Sequence, residues 1–451
     1  MKKGLVLLLA VTMLFAFIGC QVQPTETTPT TTPSSEPTKA PESTQPPAEN
    51  VPKEPVTIRF WQAGADTANA TNVMNRLLLE FMKENPNVLV EYQAVPWAND
   101  PHTVFQTAIA GGDVADLLVV GSPFDYVLAE SGALMSLTPY LEQSIIDDLI
   151  PVAAREGVYT GKIAELEGQY ISLPLFVDAR TILYNKEIFD EAQVPYPDTS
   201  WTHEEFLANA EKLTGTFGGK KVYGFGTSAR YASQYINFVW NLGGDVLNED
   251  MTAPAIDNDI WRKAISYYLE FYKKGITPEG SEAMALADIQ AMFANGEIAM
   301  MVATSDYATE LKNDENFGDK LGVGIMPHAD YQTAFAGSDV LVIPAISKNP
   351  EVAGRLINFL LRTESQLEYV KNVGFFPSVS SALADEYFTS NPIKAKFAEA
   401  IKCGKFYVKH AISSAVTTIL RSQMQQLIAG EIDLDQCLKN MTDEINAALQ
   451  E

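Results

Sequence analysis

Basic charge, cysteine and histidine are scarce in this 451-residue chain. It carries 32 Lys and Arg against 57 Asp and Glu, a formal net charge of −25. A nucleic acid or an anionic lipid face would meet mostly like charge, so no nucleic-acid partner is expected. Three cysteines and four histidines leave little material for a disulfide scaffold or a multi-ligand metal site, and neither a metal nor another cofactor is expected. His203-Glu204-Glu205 lacks the second histidine of a zinc-protease helix, and Gly226-Thr227-Ser228-Ala229-Arg230 lacks the closing glycine of a nucleophile elbow. No residue is therefore assigned a catalytic role. Beyond residue 19 no apolar run approaches the roughly 20 residues of a membrane span, and no Gly-Lys-Ser/Thr phosphate loop occurs. What is abundant is chain: 451 residues at 46% hydrophobic composition exceed what one core buries, so two lobes are expected.

Lys2 and Lys3 precede an apolar run from Gly4 to Gly19 that ends at Cys20. The run is short for a permanent span and has the basic flank, apolar centre and small last residue of a secretory signal. Residues 1–19 are expected to be a signal peptide and the protein to be exported. Phe17-Ile18-Gly19-Cys20 resembles a bacterial lipobox, which implies lipidation of Cys20 and anchoring to the cell membrane, facing outward. Gln21–Pro55 holds nine prolines, eight threonines and three serines and no aromatic residue. So little apolar area does not offset the entropy of ordering, and residues 20–55 read as a lipidated cysteine followed by a disordered linker.

Val56-Thr57-Ile58-Arg59-Phe60-Trp61 alternates as a strand. Met74, Leu77, Leu78 and Phe81 follow at helical spacing, Val88–Tyr92 and Asp116–Val120 are further strands, and a helix is expected near 103–110. This βαβαβ order implies a largely parallel sheet covered by helices, with ligands beyond the carboxyl ends of its strands. Thr202, three residues before Glu205, predicts a capping box. Asp259–Lys273 and Pro350–Leu361 read as helices, and Glu297–Ala303 and Asp339–Ile343 as strands. Cys403 and Cys437 sit in helix-like sequence and are expected as thiols.

Ordered segments across residues 56–451 then resemble the extracellular solute-binding proteins of the sugar-binding family 1 type, which include the maltose-binding protein. They are Ile109-Ala110-Gly111-Gly112-Asp113, Leu183-Tyr184-Asn185-Lys186, Ser200-Trp201-Thr202, Gly243-Gly244-Asp245, Phe293-Ala294-Asn295-Gly296-Glu297 and Ser347-Lys348-Asn349-Pro350. The resemblance implies an α/β, periplasmic-binding-protein-like type II fold: a two-lobe Venus flytrap with mostly parallel sheets, flanking helices and hinge crossings. The lobes implied are 56–178 with about 304–345, and 179–303 with about 346–451. It also implies a monomer that captures a carbohydrate and delivers it to ABC transporter permease subunits served by a separate ATPase. Two alternatives stand beside transport: a receptor component of a sensing system, and a surface-anchored glycoside-acting enzyme.

Sugars present apolar C–H faces and hydroxyl rims, so aromatics interleaved with polar groups are the expected contacts. Strand ends supply Trp61 and Gln62 with Asp66 in the next loop, then Trp97, then Ser122 and Phe124. Asp178 matches the position where the family's acid reaches the ligand, with Arg180 two residues on. Arg230, Tyr231 and Trp240 are second-lobe candidates, and Asp306 and Tyr307 stand where relatives often carry tryptophan. Gly337 and Ser338 lie in another ligand-facing segment. Trp201 and Trp261 read as packing residues.

Overall fold

Alternating apolar residues make β1 (Val56–Ala63) and β2 (Val88–Val95), and a wholly buried run makes β3 (Leu117–Gly121). The three are parallel, with β1 between its partners. Ile58 and Phe60 of β1 face the helix Ala68–Glu84, which returns Val73, Met74, Leu77, Leu78 and Phe81 to the same core. Thr67 starts that helix by accepting from the Ala70 amide. The computed structural model describes residues 54–65, 67–197 and 201–450. The signal, Cys20, most of the linker and Asp66 lie outside them.

Eight further strands follow: β4 (Leu173–Ala179), β5 (Thr181–Asn185), β6 (Gly215–Phe217), β7 (Lys220–Val222), β8 (Met300–Ala303), β9 (Leu321–Val323), β10 (Ala334–Val342) and β11 (Gly404–Phe406). The first sheet runs β11-β10-β3-β1-β2, with β4 also paired to β10. A second sheet, β8-β5-β9, is antiparallel throughout. Parallel order is thus confined mainly to β1–β3. The reason is topological: β4 and β5 are one buried run separated only by Arg180, so a single pass of chain feeds both sheets and its partners run back against it.

The expected lobe boundaries need correction. Residues 350–402 belong with the first sheet: Phe359 packs on Phe81 with ring centroids 5.5 Å apart, Gln62 Nε2 donates to the Tyr369 hydroxyl at 2.7 Å, and Val177 exchanges backbone hydrogen bonds with Phe376. Conversely β9, inside the segment expected in the first lobe, pairs with β5 of the second sheet. Helical periodicity says that an apolar face exists but not which sheet it covers. The last helix, Leu434–Ala448, packs on Asp259–Lys273, where Arg262 pairs with Asp435 at 2.9 Å. Trp201 and Trp261 are buried, the Thr202–Glu205 capping box forms, and Cys403 and Cys437 are free thiols.

Gln366 ties the 350–378 region to β4. Its Nε2 donates to the Leu175 and Leu360 carbonyls at 2.9 and 3.1 Å, and its Oε1 accepts from the Ser378 amide at 2.9 Å. Gln366→Leu removes these buried partners, and each group left unmet costs about 1–3 kcal/mol. Urea unfolding of the variant is expected to show a loss on the order of 2–4 kcal/mol. A loss within experimental error would mean that this network does not hold the region to the sheet.

Candidate ligand-binding site

Past β2 the chain makes a tight turn at Trp97–Asn99, and Asp100, at φ 48°, opens the helix Pro101–Ala110 by accepting from Thr103. This turn lays the Trp97 indole across the ends of β1 and β3. A Cβ on Gly64 would lie 2.6 Å from Trp97 Nε1, and one on Gly121 would lie 2.8 Å from the far edge of the ring. Glycine at both positions is what lets the ring lie there, and it remains 43% exposed. His102 meets Trp97 edge-on at 5.4 Å and stacks on Phe124 at 4.0 Å. Burial lowers the His102 pKa to about 4, so the ring is neutral and its Nε2 accepts from the Gly121 amide at 3.3 Å.

Two neighbours expected with Trp97 are placed elsewhere. Trp61 stacks on Phe105 at 6.1 Å under the Arg59 guanidinium, on the sheet face covered by the helix Pro101–Ala110. Gln62 is buried, and while its Nε2 donates to Tyr369, its Oε1 accepts from the Tyr92 hydroxyl at 2.9 Å, which leaves no free end for a ligand. Phe124 is likewise buried, as a support for His102.

The strands that pass between the sheets form a floor. Register pairs Asp178 with Gly337 and Ala179 with Ala336, and Phe335 pairs with Lys405, so Asp178, Arg180, Phe335, Gly337 and Lys405 share one face. The Arg180 guanidinium lies 4.7 Å over Phe335, Phe335 stacks on Trp240 at 5.8 Å, and Lys405 Nζ lies 5.3 Å over Trp240. Gly337 lies under Arg180, where a Cβ would come into ordinary contact with Nη1 at 3.5 Å. Trp240 is buried, and its Nε1 donates to Asp245 at 3.3 Å, so it supports the floor rather than projecting from it. Asp178 accepts from both the amide and the hydroxyl of Ser305, at 3.2 and 2.8 Å. Burial, reinforced by Asp306, raises its pKa to about 6. Asp306 Oδ1 and Arg180 Nε are buried beside it without a hydrogen-bond partner.

Ser122 and Ser338 come together, the Ser122 amide donating to the Ser338 carbonyl at 3.0 Å. The Ser338 hydroxyl turns to Glu156 Oε1 at 2.6 Å. Glu156 is fully buried, which raises its pKa against the pull of Lys409 and the two serines. Lys409 Nζ reaches Asp125 Oδ2 at 3.5 Å and also donates to the Glu156 carbonyl. Tyr307 is fixed by donating to the Gln290 carbonyl at 2.8 Å. Arg230 is exposed over Tyr231 at 5.8 Å, and its carbonyl accepts from Arg421. Sequence reasoning missed Glu156, Lys405 and Lys409. The one available signal, for the two lysines, was Lys405-Phe406-Tyr407-Val408-Lys409, cations interleaved with aromatics in a run that begins on the strand Gly404–Phe406.

An exposed indole beside a polar floor where two sheets join is a place for a small, partly apolar solute. The chain matches the model of the bacterial extracellular solute-binding protein family over residues 60–367, more than half its length. The chain belongs to this family. A binding protein of Brucella abortus is 25% identical over 378 residues, covering 82% of this chain and 88% of that one. The maltotriose-binding protein of Pyrococcus abyssi is 20% identical, covering 85% and 80%. An ABC substrate-binding protein of Listeria monocytogenes, solved with cycloalternan, superposes with a TM-score of 0.76 at 22% identity, over 88% of this chain and 100% of that one. The fold is that of the type II, MalE-like periplasmic binding proteins. Among the described residues, no helix is long and apolar enough to cross a membrane, and no cluster of three or more His, Cys, Asp or Glu is placed to hold a metal.

The raised Asp178 pKa has a definite sign. The folded protein holds this proton more tightly than the unfolded chain, so the stabilisation it brings is complete below about pH 4 and is lost as pH rises through about 6. Asp178→Asn keeps an acceptor for Ser305 and removes the titration. Relative to wild type, the variant is expected to gain stability between pH 4.5 and 7.5, by an amount on the order of 2 kcal/mol. Parallel denaturation curves at the two pH values would place the titration elsewhere.

Proposed function

We propose that this protein captures a sugar or oligosaccharide outside the cell and delivers it to the permease of an ABC transporter. In this reading a lipid on Cys20 holds it to the membrane and residues 21–55 act as the spacer. The observation that carries the reading is Trp97, an exposed ring seated on Gly64 and Gly121 at the carboxyl ends of β1 and β3, where a sugar's C–H face would pack. Beside it Asp178, Arg180, Asp306, Gly337 and Ser338 would offer donors and acceptors for hydroxyls. The names of the relatives agree, since one binds maltotriose and another was solved with cycloalternan.

Closure would work by population shift. A sugar resting against Trp97 gains the contacts of the second sheet's body only when the crossing strands rotate, so it favours the closed form by its difference in affinity. Relatives of this family bind solutes and the reading assigns no chemistry, so the ligand should be recovered unaltered. The test is a thermal-shift screen of the purified chain over mono- and oligosaccharides, because a ligand specific to the native state raises the melting temperature. Trp97→Ala should weaken the best glycan at least about tenfold, near 1.4 kcal/mol, by calorimetric titration, while the unliganded variant still unfolds cooperatively. Steady consumption of a glycan, or full affinity in the variant, would overturn this account.

A further inference from the structure

One cavity, of about 700 Å³, shares no residue with the site described above. It is framed by the helix Pro151–Glu156, the short helices Ser380–Leu383 and Glu386–Thr389, and the helix Pro392–Lys402. Its size is within the roughly 300–1,000 Å³ of small-ligand sites. Short side chains make the space. On Pro392–Lys402, Lys394, Phe397 and Ile401 recur at helical spacing and are buried, while Ala395 and Ala398 sit on the adjoining face, half-buried, and line the cavity. Two methyl groups fill little of the gap between helices, and a trough remains. Phe388 also lines it, with its ring held 5.2 Å from Phe376 and 5.0 Å from Tyr387.

The walls are tied to each other. The Ile150 amide donates to the Ser378 carbonyl at 2.9 Å, the Ser381 amide donates to Asp148 Oδ1 at 3.0 Å, and Leu149 bridges to Val379. A cavity whose walls are already fixed admits a ligand without the cost of ordering them. Its charge is unlike that of the rest of the chain. Arg155 and Lys402 come from different helices, and both are exposed and line the cavity. Among the described residues neither the guanidinium nor the ammonium has a hydrogen bond or an ion pair. Glu399, the one acid of the lining, is engaged by Lys396 at 3.2 Å. At the sugar floor, by contrast, Lys405 and Lys409 each face an acid. In a chain of net charge −25, two unengaged cations over an apolar trough complement an amphipathic anion.

We infer that this cavity binds a free medium-chain fatty acid, its tail against Phe388, Ala395 and Ala398 and its carboxylate at the rim with Arg155 and Lys402. The inference goes beyond sugar capture and does not depend on it. Each methylene that leaves water raises affinity about fourfold. The carboxylate stays at the exposed rim, so the desolvation cost of a buried ion does not arise.

The test titrates octanoate, decanoate and dodecanoate, each below its micelle concentration, calorimetrically into the full chain, with decanol and phosphatidylglycerol vesicles as comparisons. Saturable binding is expected, tightening about fourfold per added methylene and weaker for decanol than for decanoate. Arg155→Gln combined with Lys402→Gln should weaken decanoate about fivefold and leave decanol unchanged. Ala398→Trp fills the trough and should abolish binding of both; where that variant fails to fold, the two charge substitutions still decide. No saturable binding, equal affinity for decanoate and decanol, or full decanoate affinity in either folded variant overturns the inference. Binding to vesicles without binding to free carboxylates overturns it as well, and makes this face a membrane contact.

Discussion

Two hydrogen bonds from Ser305 to one oxygen of Asp178 fasten the crossing from β4 to β5 to the segment that follows β8 of the second sheet. Asp178 is the next-to-last residue of β4, and Ser305 follows β8 by two residues. The surroundings are densely charged for a buried place. Arg180 and Asp306 adjoin the pair, and Lys394 Nζ donates to Thr309 Oγ1 at 2.9 Å and to the Gly374 carbonyl. Burial lowers the Lys394 pKa to about 8 against the attraction of Asp178 and Asp306. Each buried base here has acids beside it, the condition under which buried ions are tolerable.

The floor beside this cluster is built from two aromatic rings between two cations. Arg180, Phe335, Trp240 and Lys405 alternate as cation, ring, ring and cation. Stacked planes resist separation while tolerating small sliding, as a hinge seam requires, whereas interdigitated aliphatic chains would lock.

The first βαβαβ portion was legible in the sequence because its signal is local: alternation, helical spacing and a strand-end tryptophan are all contained in short windows. Trp97 was placed just beyond the end of β2 that way, and its ring is exposed there. Trp61 and Gln62 were not, because side chains on a strand alternate faces and the loop beyond decides which of them reaches the edge. In β1 both were claimed, one by Phe105 and the other by Tyr369, 307 residues away. The same distance hid the lobe boundary. An amphipathic helix such as Pro350–Leu360 carries no mark of whether its face meets Phe81 or the second sheet. Glu156 and Lys409 were hidden because each is defined only by partners brought in from other segments.

The charge balance of the site bears on what it can hold. The chain is strongly acidic, yet each cation near the floor faces an acid: Lys405 pairs with Asp245, Lys409 with Asp125, and Arg180 is attracted by Asp178, Asp306 and Asp339. No cation is in surplus for an anionic solute, and no acid stands far from a counter-charge for a cationic one. An anion entering here would be desolvated without a free cation to compensate it, at a cost of several kcal/mol. A neutral polyol faces no such penalty, because its hydroxyls can donate to the acids and accept from the bases without disturbing the balance. The floor's own electrostatics, independently of any relative, therefore favour an uncharged, hydroxyl-rich ligand with an apolar face for Trp97.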